Sequence, residues 1–273
     1  MPIIVNLSAL HKYSIAKTLD AFTEVCNRYS TGCMGCCCPS FFQSWTNSAW
    51  VAYQYNTKYK ELIEPYRLGQ IESQQFLQNL EAIFDFINKN NLGEDDDLLG
   101  VDDNTTSNLL TKAWNASIVP DATMDARFSS LVTNQTEPLY LVSNSNELNV
   151  LAIIELLRAN NPTIKFYKEI DLSVTYDPNP VEIAPNIFIC LSYRYQLFKT
   201  NEQNQSVKAN PHSTMSLLQY LVAHNLSYPP EQITLISQYE GDLEQAKNIG
   251  IPEDNIYHAD NYFSANLKEG LII

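Results

Sequence analysis

At 273 residues, with 45% hydrophobic side chains, the chain is long enough for a large domain with an insert and too apolar for a disordered polypeptide. A formal net charge of -14, from 17 Lys and Arg against 31 Asp and Glu, sets it against nucleic acid and anionic membrane surfaces, and no basic run offsets this. No stretch approaches the roughly 20 apolar residues that span a bilayer, and Met1-Pro-Ile-Ile-Val-Asn has neither the basic flank nor the apolar length of a signal peptide, so a soluble, cytoplasmic chain is expected.

Pro2–Leu7 reads as a short apolar strand. Ser14–Asn27 reads as a helix with Ile15, Leu19, Phe22 and Val25 on one face. Gly and Cys then break the pattern at Ser30–Pro39. Phe41–Ile63, aromatic and free of Gly and Pro, predicts one or two helices ending near Pro65. Ser73 is a good N-cap for a helix striped by Phe76, Leu77, Leu80, Ile83, Phe84 and Ile87. The acidic run Gly93–Asp103 lacks the alternate acids, central Gly and closing Glu of a calcium loop, so it reads as a solvated linker or helix start.

Leu109–Ile118 and Asp125–Val132 read as helices. Leu139-Tyr-Leu-Val, followed at once by Ser143, Asn144 and Ser145 and then by a helix over Glu147–Arg158, marks the carboxyl edge of a parallel sheet, where open α/β folds place their ligands. Ile164–Tyr167, Ile187–Leu191, Ile233–Ile236 and Asn255–His258 read as strands, and Thr214–Asn225 and Asp242–Asn248 as helices. Tyr193–Val207 is polar and reads as a hairpin or flap. Strand and helix alternate through this half, which predicts an α/β fold with a doubly wound parallel sheet and a helical insert after the first strand.

Several of these stretches carry a resemblance. Tyr66-Arg-Leu-Gly-Gln-Ile-Glu-Ser-Gln-Gln-Phe, Ala113-Trp-Asn-Ala, Leu139-Tyr-Leu-Val-Ser-Asn-Ser-Asn, Lys208-Ala-Asn-Pro and Ile233-Thr-Leu-Ile-Ser-Gln occur in an order and spacing that resembles the haloacid dehalogenase-like superfamily. The branch it is similar to is phosphatase-like, with a helical cap after strand one. The resemblance implies a Rossmannoid core from residues 1–15 and 109–273 and a cap from residues 16–108.

That resemblance also implies chemistry. An Asp ending strand one attacks phosphorus, a second Asp two residues on serves as acid and base, and acids of the fourth motif help hold Mg²⁺. Here Asn6 stands at the nucleophile position, Ser8 at the second acid, and Ser237 and Gln238 where the metal acids are expected. A carboxamide is a poor nucleophile and a neutral, weaker metal ligand. Asp242 matches a position behind the metal ligands. The expected remnant is an anion-binding set of Ser143, Asn144 with the backbone N–H groups beside it, and Lys208. Lys199 competes with Lys208, which its Ala-Asn-Pro sequel and its shorter distance to Ser237 favour; Tyr193–Val207 is then an insertion.

Cys26, Cys33, Cys36, Cys37 and Cys38 cluster, while Cys190 falls in a strand as a core thiol. Cys33 and Cys36 suit a metal, yet no second Cys-x-x-Cys pair exists; S-acylation at Cys36, Cys37 and Cys38, a redox role and a plain packed loop stay open beside it. His11, His212, His224 and His258 form no spaced pair.

The expected function is that of a catalytically inactive phosphatase-like protein, needing no cofactor, that binds a protein through its aromatic cap or a phosphate-like ligand. The alternative is an Mg²⁺-dependent hydrolase with a rearranged acid set. The acidic, Asn-rich composition also suits a bacterial effector delivered into a host cell, with membrane association if the Cys cluster is acylated.

Overall fold

The computed structural model describes residues 1–29, 40–67, 69–91, 103–119, 122–133, 136–173, 177–197 and 215–269. The chain divides into two compact units, one of Met1–Lys12 with Pro120–Ile273 and one of Tyr13–Val119.

The first unit holds a six-stranded sheet. Its strands are β1 (Ile3–Asn6), β4 (Leu139–Ser143), β5 (Val181–Ala184), β6 (Ile187–Leu191), β7 (Thr234–Ser237) and β8 (Ile256–His258), in the order β5-β6-β4-β1-β7-β8. Four neighbouring pairs run parallel, and only β5 is antiparallel to its neighbour. All five residues of β4 are buried, which explains why that strand reads Leu-Tyr-Leu-Val-Ser without polar alternation: a parallel strand covered on both faces has no wet side. The helices of this unit are α6 (Ala122–Val132), α7 (Glu147–Asn160), α8 (Ser192–Tyr195), α9 (Leu217–Tyr220), α10 (Glu240–Asn248) and α11 (Ala259–Glu269). One core cluster joins Ile4, Tyr140, Val142 and Leu235 of the sheet to Leu217, Leu218, Leu243 and Ala246 of α9 and α10.

The second unit is helical, with α1 (Ile15–Tyr29), α2 (Ser40–Lys58), α3 (Glu64–Arg67), α4 (Ser73–Asn91) and α5 (Asp103–Asn115). A π-helical turn, Tyr59–Ile63, links α2 to α3. The short strands β2 (Lys12–Tyr13) and β3 (Ile118–Val119) pair as a two-stranded sheet. The second unit ends at Val119 and includes α5, where Trp114 meets Phe76 edge-on at 4.7 Å between ring centres.

Several expectations need correction. Ile164–Tyr167 is not a strand; its N–H groups close tight turns, Ile164 to Asn161 and Phe166 to Ile164, and only Tyr167 N–H reaches a strand, at Ile183 O. One edge of the sheet is β5, which the sequence pattern did not suggest. The start of the expected polar flap is buried instead. Tyr193, Arg194 and Tyr195 are 2%, 5% and 1% exposed. Arg194 Nη1 donates to the carbonyls of Asp171 and Ser173 at 3.1 and 3.3 Å, its Nη2 donates to Asp177 Oδ2 at 2.7 Å, and Tyr193 Oη donates to Leu172 O at 2.7 Å. These bonds tie Asp171, Leu172, Ser173 and Asp177 to the end of β6. The helix expected over Leu109–Ile118 stops at Asn115, and Ile118 turns into β3. The expected helix Thr214–Asn225 is α9 followed by a π-helical turn, Leu221–Asn225. Gly93–Asp102, Lys199, Lys208, His212, Cys33, Cys36, Cys37 and Cys38 lie outside the described residues. Among the described residues, no helix is long and apolar enough to cross a membrane.

Candidate functional site

Strand register builds the site. Ile3, Ile4 and Val5 pair with Leu139, Tyr140 and Leu141 on one side and with Thr234, Leu235 and Ile236 on the other. The strands are parallel, so Asn6, Ser143 and Ser237 all arrive at the same sheet edge. Side chains two apart share a face of a strand. Asn6 therefore follows Ile4, and Ser237 follows Leu235, onto the face where α10 packs. Asp242 stands in the first turn of α10, where the helix dipole favours an acid.

The result is a closed hydrogen-bond network. Asn6 Nδ2 donates to Asp242 Oδ2 at 2.7 Å and to Ser237 Oγ at 3.3 Å. Ser237 Oγ donates to Asp242 Oδ2 at 2.7 Å and accepts the Tyr239 N–H at 3.2 Å. Asn6 Oδ1 accepts from Ser8 N–H at 3.1 Å and from Ser8 Oγ at 2.6 Å. The backbone N–H of Ser8 can only donate, so the amide oxygen must face it and the NH₂ must face Asp242. Asn6 also caps the 3₁₀ turn Leu7–Ala9 through that oxygen. Asn6, Ser237 and Asp242 are 3%, 0% and 6% exposed. Ile4, Val142, Leu218 and Leu235 border the same spot, and apolar walls strengthen such bonds.

The resemblance implies a magnesium ion here, and these residues do not fit one. Mg²⁺ takes near-octahedral oxygen ligands, usually with one or two carboxylates. Among the described residues, the network holds one carboxylate, Asp242, whose Oδ2 already accepts two bonds. The Asn6 group facing it is a donor, and the Asn6 oxygen is turned away onto Ser8. Among the described residues, no three His, Cys, Asp or Glu side chains converge as a metal centre.

The other candidate residues are placed as follows. Ser143 is buried at the end of β4, and its Oγ accepts the Ser145 N–H at 3.0 Å. Asn144 is half-buried beside it, and Gln238 is exposed. Asn146, rather than Ser143, caps α7: its Oδ1 accepts the Asn149 N–H at 3.0 Å. Asn146→Ala is expected to cost about 1 kcal/mol, read as a lower midpoint in urea unfolding. His11 Nδ1 donates to Leu7 O at 3.0 Å, and burial lowers its pKa. Burial pushes the thiols of Cys26 and Cys190 up to about 12, which keeps both protonated and disfavours nucleophilic attack. Sequence reasoning missed Arg194. Its signal was a lone Arg in Ser192-Tyr-Arg-Tyr directly after an apolar strand.

No protein-family model and no curated protein matches the chain. Solved structures do. A HAD family enzyme of Bacteroides thetaiotaomicron in its magnesium complex matches with a TM-score of 0.51 at 13% identity, over 94% of this chain and 91% of that one. The wild-type form of that enzyme, in complex with magnesium and inorganic phosphate, matches with a TM-score of 0.50 at 12% identity, over 94% and 92%. With its mostly parallel six-stranded sheet and its helical insert after β1, this chain has the haloacid dehalogenase-like fold.

Proposed function

We propose that this chain is a non-catalytic member of its fold class, a pseudophosphatase that acts by binding. One observation carries the reading. The side chain that ends β1, where the resemblance puts the nucleophile, is a carboxamide whose oxygen and nitrogen are both engaged inside the protein. An amide oxygen held by two donors is a poor attacking group, and the neighbouring positions Ser8 and Ser237 are hydroxyls that complete the network. The Bacteroides enzyme of like fold is described with magnesium, whereas here the Asn6 amide oxygen and Asp242 Oδ2 are engaged in hydrogen bonds within the protein.

The binding surface we assign is the aromatic insert. Tyr53 is 63% exposed on α2, and Tyr13 and Ile15 are half exposed at the start of the unit, which supports a protein contact. Ser143 and Asn144, just before α7 in sequence, together with Lys208 are assigned to an anionic, phosphate-like ligand. Calorimetry with inorganic phosphate checks that second part; no heat at millimolar concentration removes it and leaves the protein partner.

The catalytic part is tested with p-nitrophenyl phosphate. The wild-type protein is expected to show no turnover with or without Mg²⁺. The double variant Asn6→Asp with Ser237→Asp is expected to acquire Mg²⁺-dependent turnover. Wild-type turnover that requires Mg²⁺ and is lost in Asp242→Asn overturns the proposal and establishes the rearranged-acid hydrolase.

A further inference from the structure

We infer that the Asn6–Ser237–Asp242 network is a built-in substitute for a divalent cation, tying the carboxyl ends of β1 and β7 to the first turn of α10 without metal. The inference deepens the non-catalytic reading and rests on it. A cation between buried carboxylates does two things: it balances their charge, and it holds the strand ends at a fixed distance. Here the amide and the hydroxyl do both. Asp242 Oδ2 receives one N–H and one O–H, each at 2.7 Å, so its negative charge is met by two donors.

The network is complete around its donors. The Asn6 NH₂ uses both hydrogens, on Asp242 and on Ser237. Ser237 spends its one hydrogen on Asp242 and accepts from Asn6 and from the Tyr239 N–H. Ser8 saturates the Asn6 oxygen and prevents the amide from flipping. The bonds join residues 5, 231 and 236 positions apart, so one small cluster fixes three elements that are remote in sequence.

Everything turns on one atom. Asn6→Asp replaces the donor nitrogen by a carboxylate oxygen at the position 2.7 Å from Asp242 Oδ2. Two buried carboxylates that close cannot both stay ionised; one takes up a proton or a cation enters between them. The variant should therefore regain the dependence on a divalent ion that the wild-type arrangement makes unnecessary.

The test is thermal unfolding of the intact wild-type and Asn6→Asp proteins at neutral pH, in chelator and in millimolar MgCl₂. Wild-type Tm is expected to be the same in both. Asn6→Asp is expected to melt roughly 5–10 °C lower in chelator, and to recover with Mg²⁺ or as the pH is lowered. Acid should rescue it because the raised carboxyl pKa of the folded variant penalises folding only above the unfolded value. If the variant does not fold in chelator, recovery of folded protein only when it is refolded with Mg²⁺ carries the same support. A wild-type Tm that rises with Mg²⁺ overturns the inference, as does an Asn6→Asp protein indifferent to both Mg²⁺ and pH. Hydrolysis by the wild type with an Mg²⁺-independent Tm would sink the functional reading alone.

Discussion

Asp242→Ala is expected to destabilise the sheet-containing unit by about 2–5 kcal/mol. Asp242 is 6% exposed and accepts from two donors that are themselves buried, the Asn6 amide and the Ser237 hydroxyl. Removing the carboxylate strands both. Each orphaned buried donor costs about 1–3 kcal/mol, more than its bond contributed in net terms, because water cannot reach it. Ile4, Val142, Leu218 and Leu235 border the gap, so the site offers no replacement partner. Asp242→Asn should cost much less, about 1 kcal/mol, since an amide oxygen still accepts from both donors without the charge. Urea unfolding of the two variants followed by circular dichroism checks the order. Equal losses would mean that the side chain matters for packing and not for its acceptor oxygen.

Phe76→Ala is expected to cost the helical insert about 3–5 kcal/mol, the usual range for emptying a buried aromatic site. Phe76 is 0% exposed, and its ring stacks on Tyr66 at 4.0 Å between centres with 11° between planes. Trp114 closes the cluster from α5, edge-on to Phe76 at 4.7 Å and tilted against Tyr66 at 6.1 Å. Three helices thus meet on three rings. The tyrosine also pairs its hydroxyl with Ser73 Oγ at 2.8 Å, linking the end of α3 to the first residue of α4. Gly69 makes the turn between them with φ of 68°, a left-handed conformation that a side chain would strain. Truncating Phe76 empties the middle of this arrangement. The change should appear as a red shift of tryptophan emission at denaturant concentrations that leave the wild type folded. Phe76→Leu, which retains much of the volume, should lose less.

Much of the fold was legible in the chain. Leu139–Val142, Ile187–Leu191 and Ile233–Ile236 are apolar runs of strand length bounded by polar or turn residues, and each is a sheet strand in the structure. The stripe from Phe76 onward marked α4, with Ser73 at its start. Less legible were elements whose character depends on what covers them. Val181–Ala184 contains Glu182 and reads as loop, yet it forms the sheet edge because β6 offers it a free side. The C-terminal helix α11 went unnoticed because its sequence, Ala-Asp-Asn-Tyr-Phe-Ser-Ala-Asn-Leu-Lys-Glu, is largely polar; Phe263 supplies a buried anchor under the Arg127 guanidinium, 5.2 Å from the ring centre. Arg194 looked like part of a solvated flap, since a local window cannot show that the carbonyls of Asp171 and Ser173 and the carboxylate of Asp177 wait for it.

The candidate site divides in the same way. Local pattern places Asn6 and Ser237 at or beside the carboxyl ends of two expected strands, Pro2–Leu7 and Ile233–Ile236, and both side chains are uncharged. That is composition at known registers, and short-range pattern suffices for it. Only the tertiary structure decided what the substitutes do. Asn6 and Asp242 are 236 positions apart, and their 2.7 Å bond exists because parallel pairing brings β1 beside β7 and α10 folds back over that edge. No local periodicity encodes such a distance. The sequence supplies two uncharged side chains at strand ends, and the fold bonds both to the buried carboxylate of Asp242.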